Sequence, residues 1–261
     1  MEKLLPLPDL IGRRTALFLD FDGTLADLAP QPDEVQVDGD LVALLQRLHH
    51  QLGGALAIVS GRGLMSLDGF LSPLKLPTAA EHGAQRRLPD GRLAVLAAPD
   101  LQEAISAARA LEAAHAGLRV EQKTAAVALH YRHAPELEAL CLQIMTDATA
   151  ASNGVELLRG KFVFEIKPAG VSKGTAIAAF MAEPPFAGSA PLFAGDDITD
   201  EAGFAAVQRL GGTAIKVGSG DTVAQHRCAS PAAFRDWLRA ACPVSSGLVY
   251  AANANAATSA P

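Results

Sequence analysis

Apolar and polar positions along the chain form two alternating patterns. Five short runs are apolar on both faces and end in polar or glycine-rich residues, which is typical of buried parallel strands. These runs occupy residues 15–20, 55–60, 77–80, 191–195 and 213–217. Between them, leucines at helical spacing over 41–48 predict one helix, Ser172 is expected to cap a second that reaches about Met181, and Ser230-Pro231 opens a third. Strands alternating with helices predict an α/β fold with a doubly wound parallel sheet, which binds ligands at the carboxyl ends of its strands.

The middle of the chain has a different pattern. Helices are predicted over 101–115 and 135–150, and pairs of strands within 118–132 and 155–168. The last strand alternates between two sets of side chains, which predicts an antiparallel strand with one solvated and one buried face. The first set is Lys161, Val163, Glu165 and Lys167, and the second is Phe162, Phe164 and Ile166.

This change of pattern predicts two domains. Residues 99–170 are expected to form an inserted α+β domain with the order αββαββ, bounded by the proline-containing breaks at 97–99 and 168–170. Residues 1–98 and 171–242 would then form the main α/β domain. The low-complexity tail, 243–261, is expected to be disordered.

Composition narrows the class of protein. The 261 residues carry 22 basic and 28 acidic side chains, so the net charge is 22 − 28 = −6, which argues against nucleic acid as a partner. Although the mean hydropathy is +0.19, no apolar run approaches the roughly 18 residues of a membrane span. Pro6, Pro8 and Asp9 interrupt any signal-peptide core. The three cysteines are scattered, which fits a reducing cytoplasm and neither a disulfide framework nor a zinc site. We therefore expect a cytoplasmic protein without a membrane partner, and a monomer is favoured.

The first chemically informative motif is Asp20-Phe21-Asp22-Gly23-Thr24, which follows the first predicted strand. Carboxylates at i and i+2 of an extended segment point the same way. One can attack as a nucleophile while the other moves protons. The glycine allows a sharp turn that brings backbone amides close to an anion. Alone, such a pair would also fit an ordinary acidic loop.

Three further motifs lie at predicted strand or helix ends. Ser60 and Gly61 offer a hydroxyl and an amide for an oxyanion. Lys173 stands at the start of a helix, where the free N–H groups already favour an anion. The segment 195–201, Gly-Asp-Asp-Ile-Thr-Asp-Glu, places four carboxylates within six residues. Such crowding is costly unless a cation relieves it, and oxygen ligands favour Mg²⁺.

Taken in order, these four motifs resemble those of the haloacid-dehalogenase (HAD) superfamily of phosphotransferases, whose core is a Rossmann-like sheet. The resemblance implies that Asp20 is a nucleophile that forms an aspartyl-phosphate and that Asp22 is the general acid/base. It also implies that Ser60 and Lys173 hold the phosphoryl group, with Gly61 and Thr24 beside them. The Mg²⁺ ligands would be Asp20, the backbone carbonyl of Asp22, and Asp196, with Asp197 or Asp200 supporting the metal's water shell.

The predicted insert matches the position and pattern of that superfamily's second cap type, C2. Local segments are similar to the trehalose-6-phosphate phosphatase family: 80–84, 121–123, 130–132, 161–168 running into 170–174, and 195–201. This resemblance implies that sugar hydroxyls contact Glu121, Lys123 and Glu165, with Arg132, Lys161 and His82 as neighbours. The face of Lys161, Glu165 and Lys167 on one strand would supply such contacts. From the residues alone, ordinary solvent exposure of this charged face is the favoured interpretation.

The resemblance therefore implies a Mg²⁺-dependent phosphatase that converts trehalose 6-phosphate to trehalose and phosphate. Three alternatives remain open: another sugar-phosphate phosphatase of the same superfamily, a hexose phosphomutase, and a non-catalytic sugar-phosphate sensor. The presence of both Asp20 and Asp22 argues against the sensor, because binding alone does not need both carboxylates.

Overall fold

The computed structural model describes residues 5–8, 11–29, 34–37 and 39–241. The expected tail, Asp9 and Cys242 lie outside these residues. Twelve strands are present in the described part of the chain. They are β1 (Thr15–Leu19), β2 (Leu56–Val59), β3 (Thr78–Ala80), β4 (Gln85–Arg87), β5 (Leu93–Val95), β6 (Arg119–Gln122), β7 (Val127–His130), β8 (Val155–Gly160), β9 (Val163–Pro168), β10 (Ala190–Gly195), β11 (Thr213–Val217) and β12 (His226–Cys228).

Seven α-helices occur in the same residues. They are α1 (Gly39–Gln51), α2 (Leu64–Phe70), α3 (Gln102–Ala114), α4 (Glu138–Ala151), α5 (Lys173–Met181), α6 (Glu201–Arg209) and α7 (Pro231–Ala241). The predicted cap of α5 is confirmed: Ser172 Oγ accepts a hydrogen bond from the Thr175 amide at 3.1 Å, and Thr175 Oγ1 accepts one from the Ser172 amide at 2.9 Å. None of the helices within the described ranges has both the length and the apolar composition needed to cross a bilayer.

The larger sheet has eight strands in the order β12-β11-β10-β1-β2-β3-β4-β5. All pairs from β12 to β3 are parallel, and β4 and β5 add an antiparallel hairpin at one edge. Strand β1 lies between β10 and β2, and its residues 16–19 are completely buried. The leucine stripe of α1 packs into the same apolar core. The expected α/β class is therefore confirmed, and the carboxyl end of β1 lies at the centre of one sheet edge.

The smaller sheet is antiparallel, with the order β6-β7-β9-β8. Helices α3 and α4 pack against it and share with it a second apolar core, separate from that of the larger sheet. The strands on both sides of this segment in the sequence belong to the larger sheet, as expected for an insert. The domain boundaries at 98/99 and 170/171 stay a prediction.

Two features differ from expectation. The polar face of β9 was expected to be solvated, but Glu165 and Lys167 are only 4% and 3% exposed. Alternation shows which face of a strand is polar, but it does not show whether solvent reaches that face. Here residues from distant parts of the chain cover the polar face of β9. The β4–β5 hairpin was not predicted, because its strands are three residues long and the side chains of β5 are exposed.

Candidate active site

The two carboxylates of the first motif lie at the carboxyl end of β1, and both line one cavity. Asp20 is buried, and its Oδ1 accepts a hydrogen bond from Lys173 Nζ at 2.6 Å. Asp22 is instead paired with Arg62, whose Nε lies 2.6 Å from Oδ2 and whose Nη2 lies 2.7 Å from Oδ1. The two acids therefore have different environments, as two different chemical roles would require.

Lys173 is held from two sides at the first turn of α5. Its Nζ donates to Asp20 and also to Asp200 Oδ1 at 2.7 Å. The other oxygen of Asp200 accepts the backbone amides of Asp196 at 3.1 Å and Asp197 at 2.9 Å. Gly195 permits this arrangement, because a Cβ there would collide with the Asp200 carboxyl. Asp200 thus joins the loop after β10 to the lysine that faces β1.

The acidic cluster has more negative charge than its lysine neutralises. Oxygens of Asp20, Asp196 and Asp200 lie within 4.8 Å of one another. Burial and the nearby Asp200 raise the pKa of Asp20 well above its usual range, despite the opposing effect of Lys173. Burial, together with Asp200, also raises the pKa of Asp196 to about 7. Lys173 itself is buried, yet Asp20 and Asp200 raise its pKa, so it remains charged.

These residues fit a divalent cation. Asp200 is already occupied by Lys173 and two amides, which leaves Asp20 and Asp196 as carboxylates that face each other across the cluster. Gly23 leaves the room that the Asp196 carboxylate occupies, since a Cβ at Gly23 would overlap it. Asp197 lines the cavity, and its Oδ1 accepts the amide of Ile198 at 2.7 Å. Two close carboxylates with raised pKa values, Asp20 buried and Asp196 partly buried, are a donor set suited to Mg²⁺.

The predicted phosphate-binding positions differ in their access to the cavity. Ser60 and Gly61 line it, and Ser60 Oγ accepts the Arg62 amide at 3.2 Å. Thr24 is completely buried and does not line the cavity; its hydroxyl lies 3.4 Å from Asp20 Oδ2. Thr24 is therefore placed to contact the Asp20 carboxylate behind the open space.

The smaller sheet closes the opposite side of the cavity, where Glu165 is the central group. Lys123 Nζ donates to Glu165 Oε2 at 2.6 Å and to the Gly61 carbonyl at 3.0 Å. His82 Nε2 is 3.8 Å from Glu165 Oε1, which is too long for a hydrogen bond. Consequently Oε1 is buried without a hydrogen-bond partner among the described residues.

The charges of this group follow from their mutual contacts. Burial alone would raise the pKa of Glu165, but the charge of the neighbouring Lys123 ammonium outweighs it and lowers the pKa to about 2. Burial would lower the pKa of Lys123, and the carboxylates of Glu165 and Glu121 raise it instead. Burial also lowers the pKa of His82, so the imidazole is neutral near pH 7. An ionised carboxylate and a lysine thus face the cavity beside a neutral histidine.

The remaining predicted sugar contacts surround the cavity mouth. Glu121 Oε2 lies 3.0 Å from His130 Nε2, and this contact lowers the pKa of Glu121 despite partial burial. Arg132 and Lys161 are exposed, and both line the cavity. Lys167 does not line it: its ammonium contacts the Glu156 carboxylate and the Val171 carbonyl instead. The expectation that Lys167 adds to the sugar-binding face is therefore wrong, because its position in β9 is next to the connection to α5.

One cavity of about 590 Å³ connects these groups. Among the described residues, every predicted site position except Thr24, Lys167 and Asp200 lines it. Sequence reasoning did not assign a role to Arg62, Arg119 or His130, which also line it. A role for Arg62 could have been suspected because it directly follows Ser60-Gly61, and one for His130 because it lies in the same hairpin as Glu121. The pairs Arg62–Asp22 and His130–Glu121 themselves depend on the fold.

Comparison with known proteins adds independent findings. The family described as trehalose-phosphatase matches residues 18–234. The chain is 43% identical over 239 residues to the trehalose-6-phosphate phosphatase of Escherichia coli K12, covering 91% of this chain and 90% of that protein. A solved structure described as a trehalose-6-phosphate phosphatase related protein is 31% identical, with a TM-score of 0.68 over 85% of this chain and 94% of that one.

A more distant structure supports the fold alone. It is a phosphatase of the haloalkanoate (HAD) enzyme superfamily from Bacteroides thetaiotaomicron, with 16% identity and a TM-score of 0.57. The match covers 91% of this chain and 97% of that one. Both sheets of the present structure therefore fall within a known architecture.

Proposed function

The chain belongs to the trehalose-phosphatase family of the HAD superfamily and is a phosphoric monoester hydrolase, and on that basis we propose that it hydrolyses trehalose 6-phosphate through an aspartyl-phosphate on Asp20. The observation that carries the proposal is the shared cavity. It places the two carboxylates after β1 opposite a buried, ionised Glu165 that has an unpartnered oxygen. Phosphate chemistry and sugar recognition can thus meet in one space.

The first half-reaction transfers the phosphoryl group to the enzyme. An oxygen of Asp20 attacks phosphorus, and the bond between phosphorus and the sugar oxygen breaks. Asp22, as a carboxylic acid, gives its proton to that leaving oxygen, so that trehalose departs as a neutral alcohol. Lys173 would neutralise charge on the phosphoryl group as it moves, and Ser60 and the amide of Gly61, which line the same cavity, would bind its oxygens.

The second half-reaction restores the enzyme. Water attacks phosphorus of the aspartyl-phosphate while Asp22, now a carboxylate, accepts a proton from it. The bond between phosphorus and Asp20 breaks, and phosphate leaves. Arg62 supports this half-reaction, because its two hydrogen bonds orient Asp22 and favour the carboxylate that acts as the base. In the first half-reaction, the proton on Asp22 takes the place of the Arg62 contact at one of the two carboxyl oxygens. A single carboxyl group can therefore act as acid and then as base.

Mg²⁺ is the proposed cofactor. Asp20, the carbonyl of Asp22, and Asp196 would hold it, with Asp197 beside it and Asp200 fixing the loop. When bound, the cation supplies charge stabilisation for the transferring phosphoryl group. The protein's own contribution is the pair of close carboxylates, which Asp200 and Gly23 keep in place.

Recognition of the disaccharide is proposed for the inserted segment, residues 99–170, which contains the smaller sheet. The phosphate chemistry is proposed for the part of the chain that contains the larger sheet. Glu165 and Lys123 are pre-arranged and charged, and Glu165 Oε1 has no partner in the described residues until a donor such as a sugar hydroxyl arrives. Hydrogen bonds to charged groups are the stronger kind, which suits a polar ligand. Glu121, Arg132, Lys161 and His82 would add contacts around the mouth.

A cytoplasmic location is proposed from the cysteines. Free, buried Cys141 and Cys228 fit a reducing cytoplasm.

A hexose phosphomutase would use the same core and need a bisphosphate activator, so release of free phosphate distinguishes it from the present proposal. A sensor would bind without turnover.

A panel of phosphates tests the proposal. Release of phosphate from trehalose 6-phosphate, sucrose 6-phosphate, glucose 6-phosphate and p-nitrophenyl phosphate is measured with Mg²⁺ and with EDTA. We expect metal-dependent hydrolysis with a preference for trehalose 6-phosphate over the other compounds. The Glu165→Gln variant should lose this preference and still hydrolyse p-nitrophenyl phosphate. Equal loss on both substrates would contradict the role of Glu165, and no phosphate release from any compound would contradict the activity.

A further inference from the structure

The turn Glu81–Gly83 after β3 has an unusual backbone. Glu81 and His82 have φ values of 49° and 58°, which is the left-handed region, and both are buried. Two consecutive non-glycine residues in that region are energetically unfavourable unless surrounding contacts hold them. The contacts of this turn therefore indicate what it is built to do.

The backbone of the turn is bound to the loop that carries Ser60. The Glu81 amide donates to the Arg62 carbonyl at 2.9 Å, and the His82 amide donates to the Ser60 carbonyl at 2.9 Å. This loop also provides Gly61, a proposed phosphate contact. The turn and the phosphate-binding loop thus form one hydrogen-bonded unit.

The Glu81 side chain reaches the smaller sheet. Its Oε1 accepts the amide of Thr124 at 3.0 Å, and its Oε2 accepts the amide of Ala125 at 3.0 Å. Both amides belong to the tip of the β6–β7 hairpin, residues 123–126. The tip is also packed at this point, because Ala125 is fully buried against Ala84 and Val171. Gln85 Nε2, at 3.3 Å from Oε1, completes the surroundings of the carboxylate.

The hairpin tip decides where Lys123 lies. Lys123 immediately precedes Thr124, and its ammonium joins the Gly61 carbonyl to Glu165. A displaced tip would separate Lys123 from Gly61 and leave Glu165 without its cation. Glu81 itself does not line the cavity, so it can affect the ligand only through these neighbours.

We propose that Glu81 is a positioning residue for sugar recognition, which anchors the β6–β7 hairpin tip to the phosphate-binding loop and so sets the distance between Lys123–Glu165 and the reacting phosphate. The inference rests on the proposed function, because it assigns the sugar contacts to Lys123 and Glu165. It adds a residue outside the cavity that links specificity to the catalytic loop.

The test uses Glu81→Gln in the full chain. The amide retains one acceptor oxygen but turns an NH₂ group toward the other backbone N–H, which loses its partner. We expect kcat/KM for trehalose 6-phosphate to fall by about 10- to 100-fold, while that for p-nitrophenyl phosphate changes by less than about threefold. Exchange of the Thr124 and Ala125 amides with deuterium is expected to accelerate.

Glu112→Gln is the matched control. Glu112 Oε1 accepts the Val120 amide at 2.8 Å, which is the same chemistry, but both residues lie in the segment 99–170. We expect this variant to retain the wild-type ratio of the two kcat/KM values. If Glu81→Gln does not fold, Glu81→Asp keeps the charge and shortens the reach, and it is tested in the same way.

The outcomes separate the two proposals. Equal loss on both substrates, or unchanged kinetics with unchanged exchange at Thr124 and Ala125, would overturn the role of Glu81. Wild-type protein that fails to hydrolyse trehalose 6-phosphate would overturn the proposed function instead. In that case the exchange experiment alone decides whether Glu81 anchors the tip.

Discussion

Arg62 holds the Asp22 carboxylate through both of its oxygens, and the guanidinium itself lies over two adjoining aromatic rings. Its central carbon lies 4.9 Å from the ring centre of Phe70 and 5.7 Å from that of Phe21. A planar, bidentate and stacked arginine has little freedom to rotate. The direction of the Asp22 carboxylate is therefore set by a residue from the next strand's loop.

Replacing Arg62 with lysine should impair catalysis while the charge is kept. Lysine cannot donate two parallel hydrogen bonds, so Asp22 would lose its orientation. We expect kcat for the sugar phosphate to fall by about tenfold or more, since positioned general acid–base catalysis is worth about 10²–10⁴ in rate. Steady-state kinetics measure this, with thermal unfolding as a check on folding. Arg87→Lys is the control, because it alters a similar arginine–carboxylate pair with Asp68 away from the cavity. A kcat of R62K within twofold of the wild-type value would contradict the prediction.

Replacing Asp196 with asparagine should change the thermal response to Mg²⁺. The substitution removes one negative charge from the cluster around Asp20 and Asp200, so the metal-free protein should become more stable than wild type. Mg²⁺ should raise the Tm of wild type and leave that of D196N nearly unchanged. Differential scanning fluorimetry with Mg²⁺ and with EDTA measures both effects. Asp147→Asn, which removes an exposed carboxylate on α4 away from the cavity, is the control. An undiminished Mg²⁺ shift in D196N would show that the cation binds elsewhere.

Stability should depend on Glu165 in a pH-dependent way. Its pKa is lowered on folding from 4.5 to about 2, so the unfolded chain binds the proton first as the pH falls. The stabilisation is therefore complete above about pH 5 and is lost toward pH 2. We expect Glu165→Gln to cost about 3 kcal/mol at pH 7, as for other buried pairs that lose one partner.

Urea unfolding of wild type and E165Q at several pH values measures this difference. The gap in the free energy of unfolding should narrow as the pH falls below about 4.5. A gap that is constant across this range would mean that the carboxylate charge contributes nothing to the contact. Glu156→Gln offers a control, because Glu156 forms a pair with Lys167 outside the cavity.

Two glycine substitutions should have opposite effects. A Cβ at Gly61 would lie 2.8 Å from the buried ring of His82, so Gly61→Ala should displace that ring and cost about 1–3 kcal/mol of stability. Gly69 is exposed within α2, and a Cβ there would meet no atom within 4 Å, so Gly69→Ala should stabilise by about 0.5–1 kcal/mol. Chemical denaturation of both variants is the measurement. Finding G61A as stable as wild type would mean that the His82 ring adapts freely.

Much of the catalytic side could be predicted because parallel strands place their carboxyl ends along one edge. Asp20, Ser60 and Asp196 each follow such a strand, and Lys173 starts a helix whose cap was recognisable as Ser172. These are short-range patterns, and the topology of the sheet brings them together. Their chemical roles stay predictions.

The recognition side was harder to predict, because it depends on contacts between distant segments. The alternation in β9 correctly separated polar from apolar positions, yet it could not show that the face of Glu165 is covered by His82 and Lys123. Nor does any local pattern require Glu81 to adopt a left-handed conformation, which only its bonds to residues 62 and 124–125 explain.

The central position of β1 affects how the catalytic and the sugar-binding parts of the site respond to local unfolding and to substitution. Strands paired on both sides and fully buried are those whose amides open only near global unfolding, whereas edge strands open at lower free energy. Asp20 follows such a central strand, while Glu121 lies on β6, an edge of the smaller sheet. Local opening at that edge can therefore occur with the nucleophile still in place. Substitutions at Glu121 are thus less constrained by folding than substitutions that alter the phosphate chemistry.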